Sequence, residues 1–264
     1  MSQETVLLEI DPQGIARVTL NRPEIHNAFD DAIIARLTEV LREIDGNADV
    51  RALVLASNGK NFSAGADFNW MKRMAANSHQ ENLEDAAGLA RLMSTLNGLS
   101  KPTIALVQGA AFGGAVGLAA CCDIVVATQA SRFCLSEVRI GLTPATISPY
   151  VVRAIGERRA RRYFQTAEPF SAEQAREFGL VHEVVADNDG LEPKLEELLQ
   201  ALRRNGPRAM QAAKDLVFAV SGKAIDPALI DDTARRIADI RVSEEGQEGL
   251  SAFLQKRAPN WIEE

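Results

Sequence analysis

The chain has 264 residues, of which 46% are hydrophobic and 25% charged, with a formal net charge of −7. This composition is typical of a folded globular protein, and the acidic balance argues against nucleic acid as the main partner. No apolar run reaches the roughly 18 residues of a membrane span, and the first residues, MSQETVLLEI, lack the basic start of a signal peptide. We therefore expect a cytoplasmic protein without membrane attachment.

The cysteines and histidines give no metal-binding pattern. Cys121 and Cys122 are neighbours among small apolar residues, which is typical of core packing. His26, His79 and His182 are far apart in the sequence and form no ligand motif. We expect no bound metal.

The first elements are a hairpin and an amphipathic helix. Val6–Ile10 and Ile15–Leu20 are β-branched, apolar runs separated by Asp-Pro-Gln-Gly, a pattern that predicts two antiparallel strands. Apolar residues then recur at spacings of three and four, predicting a helix that starts at Asp30 or Asp31 and ends near Gly46.

Two strands are each followed by a glycine-containing loop. The run 50–56 predicts a strand, and the loop SNGKNFSAGAD follows it at 57–67. After helical spacing over 68–97, Thr103–Val107 predicts a second strand, followed by QGAAFGG. Strand–helix–strand order favours parallel pairing, which brings both loops to one edge of the sheet. Two loop amides converging on one oxygen would form an oxyanion hole.

The stretch from Gly109 to Gly141 contains the chemistry. A Gly113-Gly114 turn leads into an uncharged helix, Ala115–Cys122, whose N-terminus presents free N–H groups and a positive dipole end. A buried strand follows at 124–127, and then Glu137 stands among apolar neighbours. Burial there should raise the pKa of the Glu137 carboxyl, which suits proton transfer near neutral pH.

The remaining chain is increasingly helical. Ile147–Ile155 predicts a helix, Ser171 and Gln174 have the spacing of a capping box, and Val181–Val185 predicts a short strand. From Leu191 onward few strand signals remain. We divide the chain into a mixed core at residues 1–200 and a helical region at 201–264.

Taken together and in this order, four stretches resemble the crotonase (enoyl-CoA hydratase/isomerase) superfamily. They are Asn21-Arg22-Pro23 with Asn27-Ala28, Phe62–Asp67, Gly109–Asp123 and Phe133–Gly141. The resemblance covers nearly the whole chain. It implies an α/β fold, a crotonase-like spiral of repeated ββα units with a C-terminal helical trimerisation region.

The resemblance also implies an enzyme that acts on an acyl-CoA, as a homotrimer or a homohexamer (a dimer of trimers). Coenzyme A is then part of the substrate, and no separate cofactor is expected. The implied catalytic groups are the backbone amides of Ala66 and Gly114, which would hold the thioester oxygen, and the carboxyl of Glu137. The implied substrate-binding residues are Glu24, Ile25, Ala28, Ala64, Gly65, Asp67, Phe68, Gly113, Phe253 and Lys256. Of these, Asp67 is also a candidate helix cap.

One position departs from the family pattern. The hydratases usually carry a first glutamate where this chain has Gly117. This departure makes a Δ3,Δ2-enoyl-CoA isomerase with a single glutamate the main alternative to an enoyl-CoA hydratase. Against it, Ala145–Val151 together with Gly117 resembles bacterial 3-methylglutaconyl-CoA and γ-carboxygeranoyl-CoA hydratases of leucine and acyclic terpene breakdown. We therefore favour a hydratase of branched or carboxylated enoyl-CoAs.

Two further possibilities rest on basic residues. Arg153 or a neighbour is a candidate partner for a second carboxylate on the substrate. The run Arg158–Arg162 with Arg203-Arg204 leaves RNA binding as a minor alternative, because some relatives of the family bind RNA. Such runs on helices are usually solvated faces.

Overall fold

A computed structural model describes residues 4–262 of the chain. The strands are β1 (Val6–Ile10), β2 (Ile15–Leu20), β3 (Ala52–Ser57), β4 (Thr103–Val107), β5 (Ala110–Phe112), β6 (Ile124–Thr128), β7 (Arg132–Cys134), β8 (Phe170–Ser171) and β9 (Glu183–Val185). The helices are α1 (Asp31–Gly46), α2 (Phe68–Ala76), α3 (His79–Asn97), α4 (Gly114–Cys121), α5 (Ser148–Ile155), α6 (Glu157–Thr166), α7 (Ala172–Phe178), α8 (Leu191–Arg203), α9 (Pro207–Val220), α10 (Pro227–Val242) and α11 (Glu244–Gln255).

The main sheet has six strands in the order β1-β2-β3-β4-β6-β9. The predicted hairpin is confirmed, because β1 and β2 pair antiparallel and the Asp11 carboxylate accepts the amides of Gln13 and Ile15 in the turn. Every later pairing in this sheet is parallel, as strand–helix–strand order predicts. The central strands are buried, so they consist of near-continuous apolar residues.

A second, smaller sheet follows the order β5-β7-β8. Its β5 and β7 are parallel, and an isolated parallel bridge from Ser63 to Ala111 extends the arrangement toward the loop after β3. The chain therefore repeats strand, strand, helix, as in β4-β5-α4, which confirms the predicted ββα units. The three short strands were not predicted, because two or three residues are too few to show periodicity.

Helix ends follow from identifiable caps. The Asp30 side chain accepts the Ile33 amide and starts α1, and Ser171 with Gln174 forms the predicted capping box of α7. The helical stretch predicted over 68–97 is two helices, because a second capping box, formed by Ser78 and Glu81, starts α3.

The chain divides into two compact units, Met1–Leu99 with Thr103–Leu195 and Ser100–Pro102 with Glu196–Glu264. The first contains both sheets and the buried helix α4. The second is built from helices. Within residues 4–262, no helix combines the length and apolar character that crossing a membrane requires.

Candidate active site

A cavity of about 380 Å³ opens in the first unit, beside the N-terminus of α4. Its wall contains residues 64–66 of the loop after β3, the glycine pair that starts α4, and the turn that carries Glu137. All three stretches were expected to contribute to one site, and the structure brings them together.

The loop after β3 is held by the backbone of Phe29. The Phe29 amide donates to the Gly65 carbonyl at 2.7 Å, and the Asp67 amide donates to the Phe29 carbonyl at 2.6 Å. These bonds engage the residues on either side of Ala66, whose own amide has no acceptor among residues 4–262. Asp67 then caps α2 by accepting the amides of Asn69 and Trp70, which confirms the predicted cap.

The loop after β5 presents a second free amide. Gly113 has a φ of +55°, which favours glycine, and its amide is used in a 2.9 Å hydrogen bond to the Cys134 carbonyl. Gly114 is the first residue of α4, so its amide has no partner within the helix, and no other acceptor occurs in the described part of the chain. A Cβ atom on Gly114 would lie 3.4 Å from the Phe29 ring, so the ring packs directly against this turn.

Main-chain hydrogen bonds join the two loops. The Ser63 amide donates to the Ala110 carbonyl, and the Phe112 amide donates back to the Ser63 carbonyl, each at 3.0 Å. Phe29 contacts both loops, one through its backbone and the other through its ring. The expectation that both glycine loops lie at one edge of the sheet is thereby confirmed.

The Glu137 carboxyl lies against this pair of loops. It belongs to a 3-10 turn, Glu137–Ile140, and its Oε1 would be 3.2 Å from a Cβ atom on Gly113. Its Oε2 is buried and has no hydrogen-bond partner among residues 4–262. Burial raises the pKa of Glu137, partly offset by a hydrogen bond with its own backbone, and this direction agrees with the sequence-based expectation. An uncompensated buried oxygen of this kind is available to a ligand.

Position 117 is closed to any side chain. A Cβ atom there would lie 2.3 Å from Cγ2 and 2.8 Å from Cβ of Ile147, and 3.1 Å from the Met93 sulfur. Ile147 is 1% exposed and lines the cavity. Of the described residues that line the cavity, Glu137 alone carries a carboxylate. The described residues therefore give the site one carboxylate, and the Ile147 side chain fills the space next to position 117.

Residues 11–264 match the model of a protein family described as Enoyl-CoA hydratase/isomerase. This chain belongs to that family. A crystal structure of an enoyl-CoA hydratase from Shewanella pealeana is 48% identical, with a TM-score of 0.94 over 98% of this chain and 96% of that one. Pseudomonas aeruginosa AtuE is 40% identical, with a TM-score of 0.94 over 98% of this chain and all of that one.

The 2,3-dehydroadipyl-CoA hydratase of Escherichia coli K12 is 33% identical over 250 residues, 94% of this chain and 95% of that protein. These relatives confirm the predicted crotonase fold and the predicted enzyme class. An enzyme of this enoyl-CoA hydratase/isomerase family binds an acyl-CoA, so the cavity is its candidate active site.

The predicted site residues fall into two groups. Those that line the cavity are Ala64, Gly65, Ala66, Gly113, Gly114 and Glu137. The others lie outside its lining, and their role in binding CoA stays a prediction. Glu24 and Ile25 form a 3-10 turn, Ala28 is buried, and Phe68 is exposed with the Lys72 ammonium 4.5 Å from its ring centre. In the second unit, Phe253 is exposed on α11 and Lys256 caps that helix with a φ of +56°.

Sequence reasoning missed the apolar wall of the cavity and the positively charged residue in its described lining. Phe29, Trp70, Met74 and Leu89 form much of that wall. Trp70 and Met74 are four residues apart on α2, so their shared face was a usable signal. Arg139, two residues after Glu137, supplies the positive charge.

Asp123 and part of the basic run at 158–162 have structural roles. Asp123 accepts hydrogen bonds from the Thr103 amide and hydroxyl. In the basic run on α6, Arg162 pairs with Glu168, and Arg159 stacks over the Phe178 ring at 5.0 Å. Part of the basic run is therefore used in contacts with neighbouring residues of the same chain.

Proposed function

We propose that this enzyme adds water across the 2,3 double bond of an enoyl-CoA, with Glu137 as its single acid–base group. The observation that carries the proposal is the buried, unpartnered Oε2 of Glu137 beside two unpaired backbone amides. A carboxylate with a raised pKa can accept and return a proton within one catalytic cycle.

The amides of Ala66 and Gly114 would bind the thioester carbonyl oxygen. That oxygen gains negative charge when a nucleophile adds to C3, because the electrons of the double bond move onto it as an enolate. Donors fixed in advance by the fold stabilise such charge, and removing one donor typically costs about 3–4 kcal/mol. The N-terminus of α4 adds a favourable dipole at the same place.

The reaction then proceeds in two balanced steps. The ionised Glu137 takes one proton from a water molecule while the water oxygen bonds to C3 and the enolate forms. The enolate then collapses to the carbonyl as C2 takes that proton from Glu137. Water is consumed, one C–O and one C–H bond form, and Glu137 returns to its ionised state.

The closed position 117 supports a second candidate, Δ3,Δ2-enoyl-CoA isomerisation. There Glu137 would remove a proton from C2 of a 3-enoyl-CoA and return it to C4, a task that needs one carboxylate and no water. Ile147 over Gly117 leaves one carboxylate in the cavity, which suits this chemistry as well as hydration. Relatives named as hydratases favour the first candidate.

For the acyl group we propose a branched or carboxylated chain, of the 3-methylglutaconyl-CoA or γ-carboxygeranoyl-CoA type. This proposal comes from the resemblance of residues 145–151 and of Gly117 to such hydratases. A relative named for 2,3-dehydroadipyl-CoA, whose acyl chain ends in a carboxylate, supports it.

We further propose that residues 201–264 build a homotrimer or homohexamer. Helices α9 and α10 contain no buried residue in the isolated chain. Large apolar side chains are exposed on α9, α10 and α11: Leu216, Val217, Phe218, Ile230, Ile237, Val242, Leu250, Phe253 and Leu254. Apolar surface on this scale is typical of an interface, and light scattering on the purified protein would measure the assembly.

Labelled water separates the two reactions. The enzyme would be incubated in 18O-water with a trans-2-enoyl-CoA and, separately, with a 3-enoyl-CoA. Label in the 3-hydroxyacyl product establishes hydration, whereas migration of the double bond without label establishes isomerisation. If a panel that includes branched and carboxylated acyl groups gave neither product, both candidate reactions would be refuted.

A further inference from the structure

We infer that Arg139 binds a carboxylate at the far end of the acyl chain and so selects carboxylated substrates. The inference rests on the proposed function, because it concerns the acyl group held in the same cavity. The resemblance points to carboxylated substrates without a residue that selects them, and we assign that role to Arg139.

Arg139 is the one positively charged residue among the described lining of the cavity. Much of the remaining wall is apolar, including Phe29, Trp70, Met74 and Leu89. An apolar acyl chain gains nothing from a cation beside it. A carboxylate on the acyl chain would gain a charge-assisted hydrogen bond from the same cation.

The Arg139 guanidinium is held in place and still has N–H donors available for a ligand. It donates one hydrogen bond to the Ala167 carbonyl, and no carboxylate within residues 4–262 pairs with it. A guanidinium has five N–H donors, so most remain available in a planar fork that matches a carboxylate.

The position relative to Glu137 also fits. Both residues belong to the same 3-10 turn, but they form no ion pair with each other. Arg139 is an exposed residue that also lines the cavity, so a ligand entering from solvent can reach its side chain. An acyl chain whose reacting carbons lie at Glu137 could therefore carry its terminal carboxylate toward Arg139. Arg153, the earlier candidate for this role, is exposed on α5 and lies outside the described lining.

Two pairs of ligands isolate the effect of the carboxylate. The reactive pair is 3-methylglutaconyl-CoA and 3-methylcrotonyl-CoA, which share the branch and the double bond and differ by one carboxylate group. The saturated pair is 3-methylglutaryl-CoA and isovaleryl-CoA, which bind without reacting. Because CoA is common to all four, contacts of Arg139 with CoA cancel in each ratio.

The test compares wild type, Arg139→Met, Arg139→Lys and Arg153→Met. For Arg139→Met, we expect the preference for 3-methylglutaryl-CoA over isovaleryl-CoA, measured by calorimetry, to fall about 10- to 100-fold, the range of a charge-assisted hydrogen bond. The ratio of kcat/KM values on the reactive pair should fall by a similar factor, mainly through KM. Arg139→Lys should retain part of the preference, since it keeps the charge but loses the planar fork.

Arg153→Met is the matched control and should leave both ratios at their wild-type values. If Arg139→Met lowered affinity or kcat/KM equally for both members of each pair, the inference would be overturned. Arg139 would then act by supporting the loop at Ala167 or by contacting CoA. A wild type that binds both saturated ligands equally would also overturn it. If the saturated pair behaves as expected while neither reactive ligand is hydrated, Arg139 keeps its role and the proposed hydration fails.

Discussion

Glu137 in the cavity wall and Gly117 behind the wall residue Ile147 differ in what the chain has placed there. At Glu137 the fold buries a carboxylate and leaves one oxygen without a partner. At Gly117, one turn into α4, Ile147 fills the space that any side chain would need. Position 117 is therefore not an empty place, because Ile147, the residue before α5, packs over it. Introducing a glutamate at 117 without changing Ile147 should not add a second carboxylate to the cavity.

The largest effect should come from removing the proposed acid–base group, Glu137. Glu137→Gln keeps the shape of the side chain but cannot take up or release a proton, so kcat/KM should fall by roughly 10²- to 10⁴-fold. Steady-state kinetics would measure the loss, and calorimetry with a saturated acyl-CoA should find affinity largely retained. Activity near that of wild type would remove Glu137 from the mechanism.

The packing of Ile147 against position 117 can be tested by a double-mutant cycle on stability. Gly117→Ala places a methyl group against Ile147 and should lower the free energy of unfolding by about 1–3 kcal/mol. In an Ile147→Gly background both close contacts with residue 147 are gone, so the same change should cost much less. Chemical denaturation would give all four values.

Gly46→Ala provides the control for that cycle, because a Cβ atom at position 46 meets nothing within 4 Å. It should be neutral or slightly stabilising at the end of α1. Equal costs of Gly117→Ala in both backgrounds would contradict the proposed packing of Ile147 over position 117.

The pH dependence of activity should report the environment of Glu137. In the proposed mechanism the ionised Glu137 carboxylate is the active form, and burial raises its pKa. As pH falls, kcat/KM should therefore drop about tenfold per pH unit on an acid limb whose midpoint lies above pH 4.5, the ordinary pKa of this group. The residual rate of Glu137→Gln should lack that limb. A limb at or below pH 4.5 in the wild type would argue against a desolvated carboxylate.

The smallest effect concerns stability. The pKa of Glu137 is raised in the folded protein, so the stability that its protonated form contributes is fully present below pH 4.5 and is lost as pH rises through the folded pKa. Glu137→Gln cannot ionise, so its melting temperature should exceed that of wild type by a few degrees at neutral pH. This difference in melting temperature should disappear in acid. Thermal melts between acidic and neutral pH would measure it, and a difference that stayed constant would mean that ionisation of Glu137 plays no part.

Much of the fold followed from local patterns in the sequence. The β1–β2 hairpin, α1 and the buried helix α4 have clear periodicity or turn residues, and the structure confirms them. The second sheet did not follow, because β5, β7 and β8 are too short to have a pattern and depend on pairing between distant residues.

The site was predictable to a similar extent. Residues 64–66, the Gly113-Gly114 turn and Glu137 stand in distinctive local contexts, and the structure brings them to one cavity. Ile147 and Arg139 were missed for a different reason. Ile147 packs against position 117, which is distant in the sequence, and Arg139 lines the cavity in which we propose that the acyl chain binds. No local spacing encodes either relationship.

The free amides of Ala66 and Gly114 belong to the main chain, which has a consequence for how this protein can diverge. Mutation exchanges side chains but leaves peptide groups in place, so a descendant that keeps the backbone path keeps both free donors, and with them the proposed binding of the thioester oxygen. Substitutions of a few neighbouring side chains could then change the reaction while these backbone donors stay the same.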